Sequence, residues 1–532
     1  MQYVAESFNP DEAEILRPYF TNLDAPVFAL VNLPEVVKGA LFARYSRSSK
    51  SLRRLFLDEF VGDLDLTGDL GVDASIGLKR AEELYEKVFL EYGDDSVAQL
   101  GGVHLACEQA SNVLTKILEW GRLMAYLEQS TRYIPYDTRL GGRYRFYRPA
   151  EVLDSPLALR YIADMDAAFE SYTMCMHTLL DWARDTFPKE PGDSDFVYKT
   201  TLKAKACDAA RGILPAATLS NVGIYGTGQA FEALLLRMRA HPLPEARKYA
   251  ALMLDELRKV IPSFLTRVDR PDRGIAWSAY LAETRSETAA LAARLLPTDD
   301  PQPRPSVVLT DFDPEGEDKV LAAILYPHTT LPEDQILDRV RRLGVDERIS
   351  LMRAYVGERD NRRHRPGRAF ERTDYRFDVL ADYGAFRDLQ RHRMLTVEWQ
   401  RLSPRHGYDV PPDIADAGLE EPFVEAMERS GALYDTLALD FPEQASYAVA
   451  LAYRIRFAMQ MNAREAMHVL ELRTAPQGHA TYRVVCQDMH RLIAERAGHR
   501  AIADAMSHVD HGAYELERLE AERAAEFRRA SS

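Results

Sequence analysis

From residue 372 to 379 every second position is apolar or β-branched: Thr373, Tyr375, Phe377 and Val379 alternate with Arg372, Asp374, Arg376 and Asp378. A period of two marks a strand with one buried face. The alternation returns at 454–461, where Ile455, Phe457, Met459 and Met461 oppose Arg454, Arg456, Ala458 and Gln460. It occurs again at 102–107, where Val103, Leu105 and Cys107 oppose Gly102, His104 and Ala106. "SVVLTDF" at 306–312 reads as a further strand, and "LSNVGIYGTGQAFEALLLRMR" at 219–239 as a strand running into a helix. Helical periods follow the other strands, over 111–129, 383–395 and 462–473. The second of these puts Arg387 and Arg391 one above the other at i, i+4.

These elements come in two matching sets. Arg122 and Arg393 end equivalent stretches 271 positions apart, Ser130 and Arg132 match Ser403 and Arg405 at 273, and Thr227 matches Asn462 at 235. The spacing shortens because a helical insert around 155–190 lengthens the first half. The pattern predicts a divergent tandem duplication of an α+β unit. A proline-rich stretch, "LPTDDPQPRPS" at 296–306, has no periodicity and reads as a tether. The expected division is therefore 1–295, a linker at 296–306, a second unit at 307–515, and a charged helical tail at 516–532 that frays into solvent.

Length and composition narrow the possibilities. A chain of 532 residues is too long for one core. With 82 Asp+Glu against 67 Lys+Arg its net charge is -15, which argues against a nucleic-acid coat but leaves room for a local anion cleft. No apolar run approaches the ~20 residues a bilayer span needs, and the first residues have no signal-peptide pattern, so a cytoplasmic protein is expected. Cys107, Cys175, Cys207 and Cys486 form no CxxC pair, so neither a disulfide framework nor a thiolate metal site is expected. Motifs for zinc proteases, dinucleotide folds, P-loops and serine hydrolases are absent from the sequence.

The candidate chemistry is anion binding. "RHRMLTVEWQRLSPR" at 391–405 concentrates guanidinium groups in an acidic chain. In 462–473, Ala463, Met467 and Leu470 form an apolar stripe that Arg473 continues. A guanidinium there must find an internal carboxylate or face a ligand, and the spacing leaves both open. His392 lies between two arginines, which favours a neutral imidazole. Glu128, Gln129, Ser130, Thr131 and Arg132 read either as an ordinary helix end or as hydroxyls beside an arginine in a phosphate cradle.

Taken together, these residues resemble the flavin-dependent thymidylate synthases. Arg391-His392-Arg393 supply that family's Arg-His-Arg triplet, Asn462-Ala463-Arg464 its Asn-Ala-Arg, Leu472-Arg473 its Leu-Arg, and Phe370-Glu371 look like its Phe-Glu-His. The first half departs: its triplet is Trp120-Gly121-Arg122, its Asn-Ala-Arg is Thr227-Gly228-Gln229, and Asn221 replaces the strand arginine. It nevertheless keeps Glu128, Ser130 and Arg132 at family spacing. The second half does the opposite. It keeps Arg456, Asn462, Arg464 and Arg473, but nine residues separate Arg393 from Ser403, and Arg401 stands where the glutamate belongs. Asp388 replaces the family's glutamine three positions before the triplet.

The resemblance implies two tandem copies of a thymidylate-synthase-complementing unit, helices around a mixed or antiparallel sheet, forming a pseudo-dimer within one chain. Two such chains would make a homodimer equivalent to the family's tetramer. It implies reductive methylation of dUMP to dTMP with FAD, and with NADPH and methylenetetrahydrofolate as co-substrates. The site would be composite. Arg391, Glu128, Gln129, Ser130, Thr131, Arg132, Arg456 and Arg473 would bind the nucleotide, and Arg473 would act catalytically on the uracil ring. Arg391, His392, Arg393, Glu128, Asn462, Arg464 and His468 would hold FAD, with no metal. The rival readings are a flavin enzyme for another pyrimidine nucleotide and a non-catalytic nucleotide-binding scaffold.

Overall fold

Contacts in a computed structural model divide the chain into two units. The structure describes residues 7–25, 28–35, 37–38, 41–42, 50–59, 61, 99, 101–296, 302–516 and 518–531. The centre of the proline-rich linker, 297–301, lies outside them. One unit comprises 1–108, 123–128 and 221–299; the other comprises 109–122, 129–220 and 300–532. Each compact unit is thus assembled from segments distant in sequence. No helix among the described residues is long and apolar enough to cross a membrane.

The fold is α+β with two antiparallel sheets. Gly102–Ser111 (β1), Met124–Glu128 (β2) and Leu219–Thr227 (β3) form a sheet in the order β1-β3-β2. Val307–Phe312 (β4), Asp374–Asp382 (β5), Thr396–Trp399 (β6) and Arg454–Asn462 (β7) form a sheet in the order β4-β5-β7-β6. The alternations read from sequence match the buried faces: Tyr375, Phe377 and Val379 on β5, and Ile455, Phe457, Met459 and Met461 on β7, are all buried.

The helices that matter to the site are Asn112–Leu118 (α1), Ala158–Thr186 (α2), Asp195–Ala210 (α3), Gly228–Arg239 (α4), Tyr383–Leu389 (α5), Glu420–Asp440 (α6), Ala463–Arg473 (α7), Ala480–Glu495 (α8) and Leu519–Ser531 (α9). Their starts repeat as the sequence pattern does. Thr227 and Asn462, 235 apart, are N-caps whose side chains accept from the amides of Ala230 and Glu465. Ser111 and Asp382, 271 apart, cap α1 and α5 in the same way.

The duplication also appears as reciprocal backbone pairing. Ala216 N–H donates to Val449 C=O at 2.8 Å, and its repeat mate Leu451 donates to Leu214 C=O at 2.9 Å. Ala217 donates to Tyr447 C=O and its mate Ala452 to Gly212 C=O. This self-complementary exchange is the bonding pattern of a two-fold interface, here made inside one chain. The inserted α2 packs against α3 and against α6, joining the two repeats further.

Three expectations are corrected. The first is the helix over 111–129, which stops at Leu118; residues 124–128 are strand β2, with Met124 opposite Gly226 and Glu128 opposite Val222. Positions i and i+4 share a face in both a helix and a strand, so the local pattern is ambiguous, and pairing with β3 decides it. The second is the helix over 383–395, which ends at Leu389. Gln390 is drawn inward to donate from Nε2 to Lys116 C=O at 3.1 Å, so Arg391 sits in a turn, off the helical face of Arg387. The third is the tail. Helix α9 packs on α3, and Arg523 donates to Asp193 Oδ1 at 2.6 Å.

Candidate functional site

Arg473 ends α7 with its guanidinium half-buried. Its Nε–H donates to His392 Nε2 at 2.9 Å, and its Cζ lies 5.4 Å from the centre of the Tyr482 ring on α8. An arginine is always protonated, so His392 must present a lone pair at Nε2 and carry its proton on Nδ1. Burial holds His392 well below its ordinary pKa, reinforced by Arg473 and His468. This agrees with the neutral imidazole read from the sequence, and its partner Arg473 fixes the tautomer.

Opposite Arg473 is Asp388 Oδ1, 3.8 Å from Nη1. Asp388 also lies 3.6 Å from Nη1 of Arg211, an arginine that is 3 % exposed and was not singled out from the sequence. Although burial pushes the carboxyl the other way, the fields of Arg473, Arg391, Arg211 and Arg132 hold Asp388 far below the usual range. Helical spacing would allow Asp388 to pair with Arg387 or Arg391, but the guanidinium nitrogens within 4 Å of it are those of Arg211 and Arg473. Arg211 stands at the start of "RGILP", between α3 and β3, and its repeat mate is Ser446. An arginine bracketed by Ala209, Ala210, Ile213 and Leu214, all buried, was the available signal.

Arg132 reaches the same cluster from the other repeat. Its Nε and Nη2 donate to the two carboxylate oxygens of Asp208 at 2.7 and 2.6 Å, and its Nη1 donates to the Tyr482 hydroxyl at 2.8 Å. Nη2 also donates to Gln477 C=O at 3.2 Å. Arg132 is thus locked in place by a bidentate pair. Ser130 Oγ accepts from the Arg132 amide at 3.2 Å, Thr131 is buried beside it, and Gln129 C=O accepts from Ser220 Oγ. Glu128, buried at the end of β2, belongs to the other unit. Asp208 and Arg211 also line a cavity of about 470 Å3 with His479, Asp382, Gly384 and Lys205.

Beyond His392 the cluster continues to Glu465 and His468 on α7. His392 Nδ1 is 3.7 Å from Glu465 Oε1, and the two imidazoles lie 5.3 Å apart. Burial pushes Glu465 up to about 7, partly offset by Arg365, Arg464 and Arg393. Burial brings His468 down to about 4, helped by Arg365, Arg362 and Arg473. These three residues offer ligand atoms within 4.8 Å of one another. A cation is nevertheless a poor match: Arg473 occupies the His392 lone pair, and the surrounding arginines raise the local potential. The same field favours an acceptor-rich anion.

The remaining predicted residues lie around this core. Arg391 is half-buried and Arg393 exposed. Arg464 donates from Nε to Pro366 C=O at 3.1 Å and is 3.6 Å from Glu371. Asn462 is engaged as a helix cap. Arg456 donates to Asp378 at 3.0 Å on the half-open face of the sheet.

Comparison with known proteins gives a consistent picture. A family described as "Thymidylate synthase complementing protein" matches residues 42–263 and 309–497, one segment in each half of the chain. A UPF0159 protein of Chlamydia muridarum is 38% identical over 97% of this chain and 98% of its own length. A UPF0159 protein of Thermoplasma acidophilum is 32% identical over 91% of this chain and 97% of its own. Among solved structures, a UMP/dUMP methylase PolB from Streptomyces cacaoi, bound with 5-Br dUMP, is 20% identical. It covers 37% of this chain and 94% of that one, with a TM-score of 0.29.

Proposed function

Since this chain belongs to the thymidylate synthase complementing protein family as a tandem duplicate, we propose that it is a methyltransferase acting at C5 of a uracil nucleoside 5′-monophosphate such as dUMP. The full reaction in this reading takes the one-carbon unit from methylenetetrahydrofolate and a hydride from NADPH, and yields the 5-methyl nucleotide, dTMP from dUMP. The observation that carries it is the convergence of Arg132 from one repeat with Arg473 and Arg391 from the other around Asp388 and Tyr482. Buried and half-buried guanidiniums drawn from both repeats suit an anionic nucleotide, and no single repeat carries all of them.

In this reading Arg132, Arg211 and Arg391 supply charge for the phosphate, with Asp208 holding Arg132 in a fixed orientation. Arg473 stabilises negative charge on the uracil ring, its guanidinium oriented by the lone pair of His392. FAD fits the second part of the cluster. Nδ1 of His468 is buried with no hydrogen-bond partner among the described residues; Arg365, Arg362 and Arg473 lie around that imidazole, and Arg464 and Arg393 around the neighbouring Glu465. His392, Arg393, Arg464 and His468 would hold the flavin, which when bound supplies the redox and one-carbon chemistry. A homodimer is supported by the exposed apolar side chains Trp277, Tyr280, Leu291 and Leu295 on the helix Ala276–Leu295.

The test is the visible spectrum of the purified protein loaded with FAD and freed of excess, before and after adding dUMP. Retained flavin whose absorbance shifts with the nucleotide is the expected result. Protein that retains no flavin but binds dUMP would leave a nucleotide-binding scaffold, and protein that binds neither would overturn the reading.

A further inference from the structure

Asp388 has the same sign of charge as the ligand its arginines suit. It is 9 % exposed, and four guanidiniums keep it ionised. An ionised carboxylate can only accept hydrogen bonds, and it has two oxygens to offer. A carboxylate that merely balances arginines closes on them, as Asp208 does with Arg132 at 2.7 and 2.6 Å. Asp388 stands off: its nearest guanidinium nitrogens are at 3.6 and 3.8 Å, and among the described residues no donor lies within bonding distance of either oxygen. Its side chain keeps 13% of its surface open. Oxygens left open in this way are filled by water until a ligand donor replaces it.

The geometry points to Asp388 as the residue that reads the sugar, its two carboxylate oxygens accepting from the adjacent 2′- and 3′-hydroxyls of a ribonucleotide. The proposal rests on the nucleotide reading above and narrows its substrate class to pyrimidine ribonucleoside 5′-monophosphates. Two open acceptors call for two neighbouring donors. A phosphate or a base carbonyl offers only acceptors and is repelled, whereas a ribose diol offers both donors without charge. A deoxyribose satisfies one oxygen and leaves the other unfilled. A base amine is the competing source of a donor.

Calorimetric titration of the full-length, flavin-free protein with UMP, dUMP and dCMP tests this without depending on catalysis. The unmodified protein is expected to bind UMP roughly ten-fold more tightly than dUMP, the cost of one unfilled charge-assisted bond. Asp388→Asn should bring the two within about two-fold, and Asp388→Glu should retain the preference for UMP. If the unmodified protein binds dUMP as tightly as UMP, the inference fails even should every variant misfold. An unchanged ratio in folded Asp388→Asn also overturns it. A preference for dCMP over dUMP that exceeds the preference for UMP assigns the carboxylate to a base amine instead and overturns the diol. Failure to bind any of the three removes the nucleotide reading itself.

Discussion

Replacing Glu465 with glutamine should make the protein more stable at neutral and alkaline pH, although it removes a charge surrounded by arginines. Glu465 is 8 % exposed, and burial raises its carboxyl from 4.5 to about 7 despite Arg365, Arg464 and Arg393. Its native value lies above its unfolded value. Its contribution is therefore fully present below pH 4.5 and lost as the pH rises through about 7, because the unfolded chain ionises first. Applying the linkage relation to these two values gives a loss of about 1 kcal/mol at pH 5 and about 3 kcal/mol at pH 8. Glutamine preserves shape and hydrogen-bonding capacity but does not titrate. The stability of Glu465→Gln relative to the unsubstituted protein should therefore rise by about 2 kcal/mol between pH 5 and pH 8, the difference of those losses. Urea denaturation followed by far-ultraviolet circular dichroism at the two pH values measures it. A difference between the proteins that stays constant with pH would mean that Glu465 is ionised throughout and that the arginines outweigh burial.

Three further outcomes are expected. Asp208→Asn removes the charge opposite buried Arg132 and should cost about 3–5 kcal/mol in the same denaturation assay at pH 7; a cost under about 1 kcal/mol would mean that the pair is effectively solvated. Arg473→Ala should weaken nucleotide binding by about 1.5–3 kcal/mol and raise the His392 pKa by removing an adjacent cation, which imidazole NMR titration reads separately from binding. Burial raises the thiols of Cys107, Cys207 and Cys486 to about 12 and that of Cys175 to about 11. The native protein should therefore resist iodoacetamide at pH 8, with all four thiols alkylated once it is denatured; rapid labelling of the native protein would contradict their burial.

Where a residue's role is local, the sequence made it legible. Strands β5 and β7 each have a fully alternating face, and Asn462 and Thr227 cap helices through their own side chains. Arg473 could be read as a cation obliged to find a partner because its helix surrounds it with apolar residues. The strands β2 and β6 were not legible, since Met124 and Glu128 satisfy helical and strand periods equally and β3 alone decides between them. The partners of Asp388 were also hidden: Arg211 lies 177 residues away in the chain, and Arg132 arrives from a loop of the other repeat. Arg211 itself belongs to no alternation, and its apolar neighbours were the one local signal it offered.

The reciprocal bonds between 212–217 and 447–452 have a genetic consequence. In a symmetric pair of identical chains every substitution enters the interface and the site twice, so a residue useful at one copy must be tolerated at the other. Here the two partners are encoded separately, and each position can change alone. Arg211 faces its cluster while its mate is Ser446, and Arg473 faces the same cluster while its mate is Met238. Fusion converts a pair of equivalent half-sites into one specialised site and one region free to diverge. The backbone bridge remains symmetric because its bonds involve main-chain groups, which substitution of most side chains leaves in place.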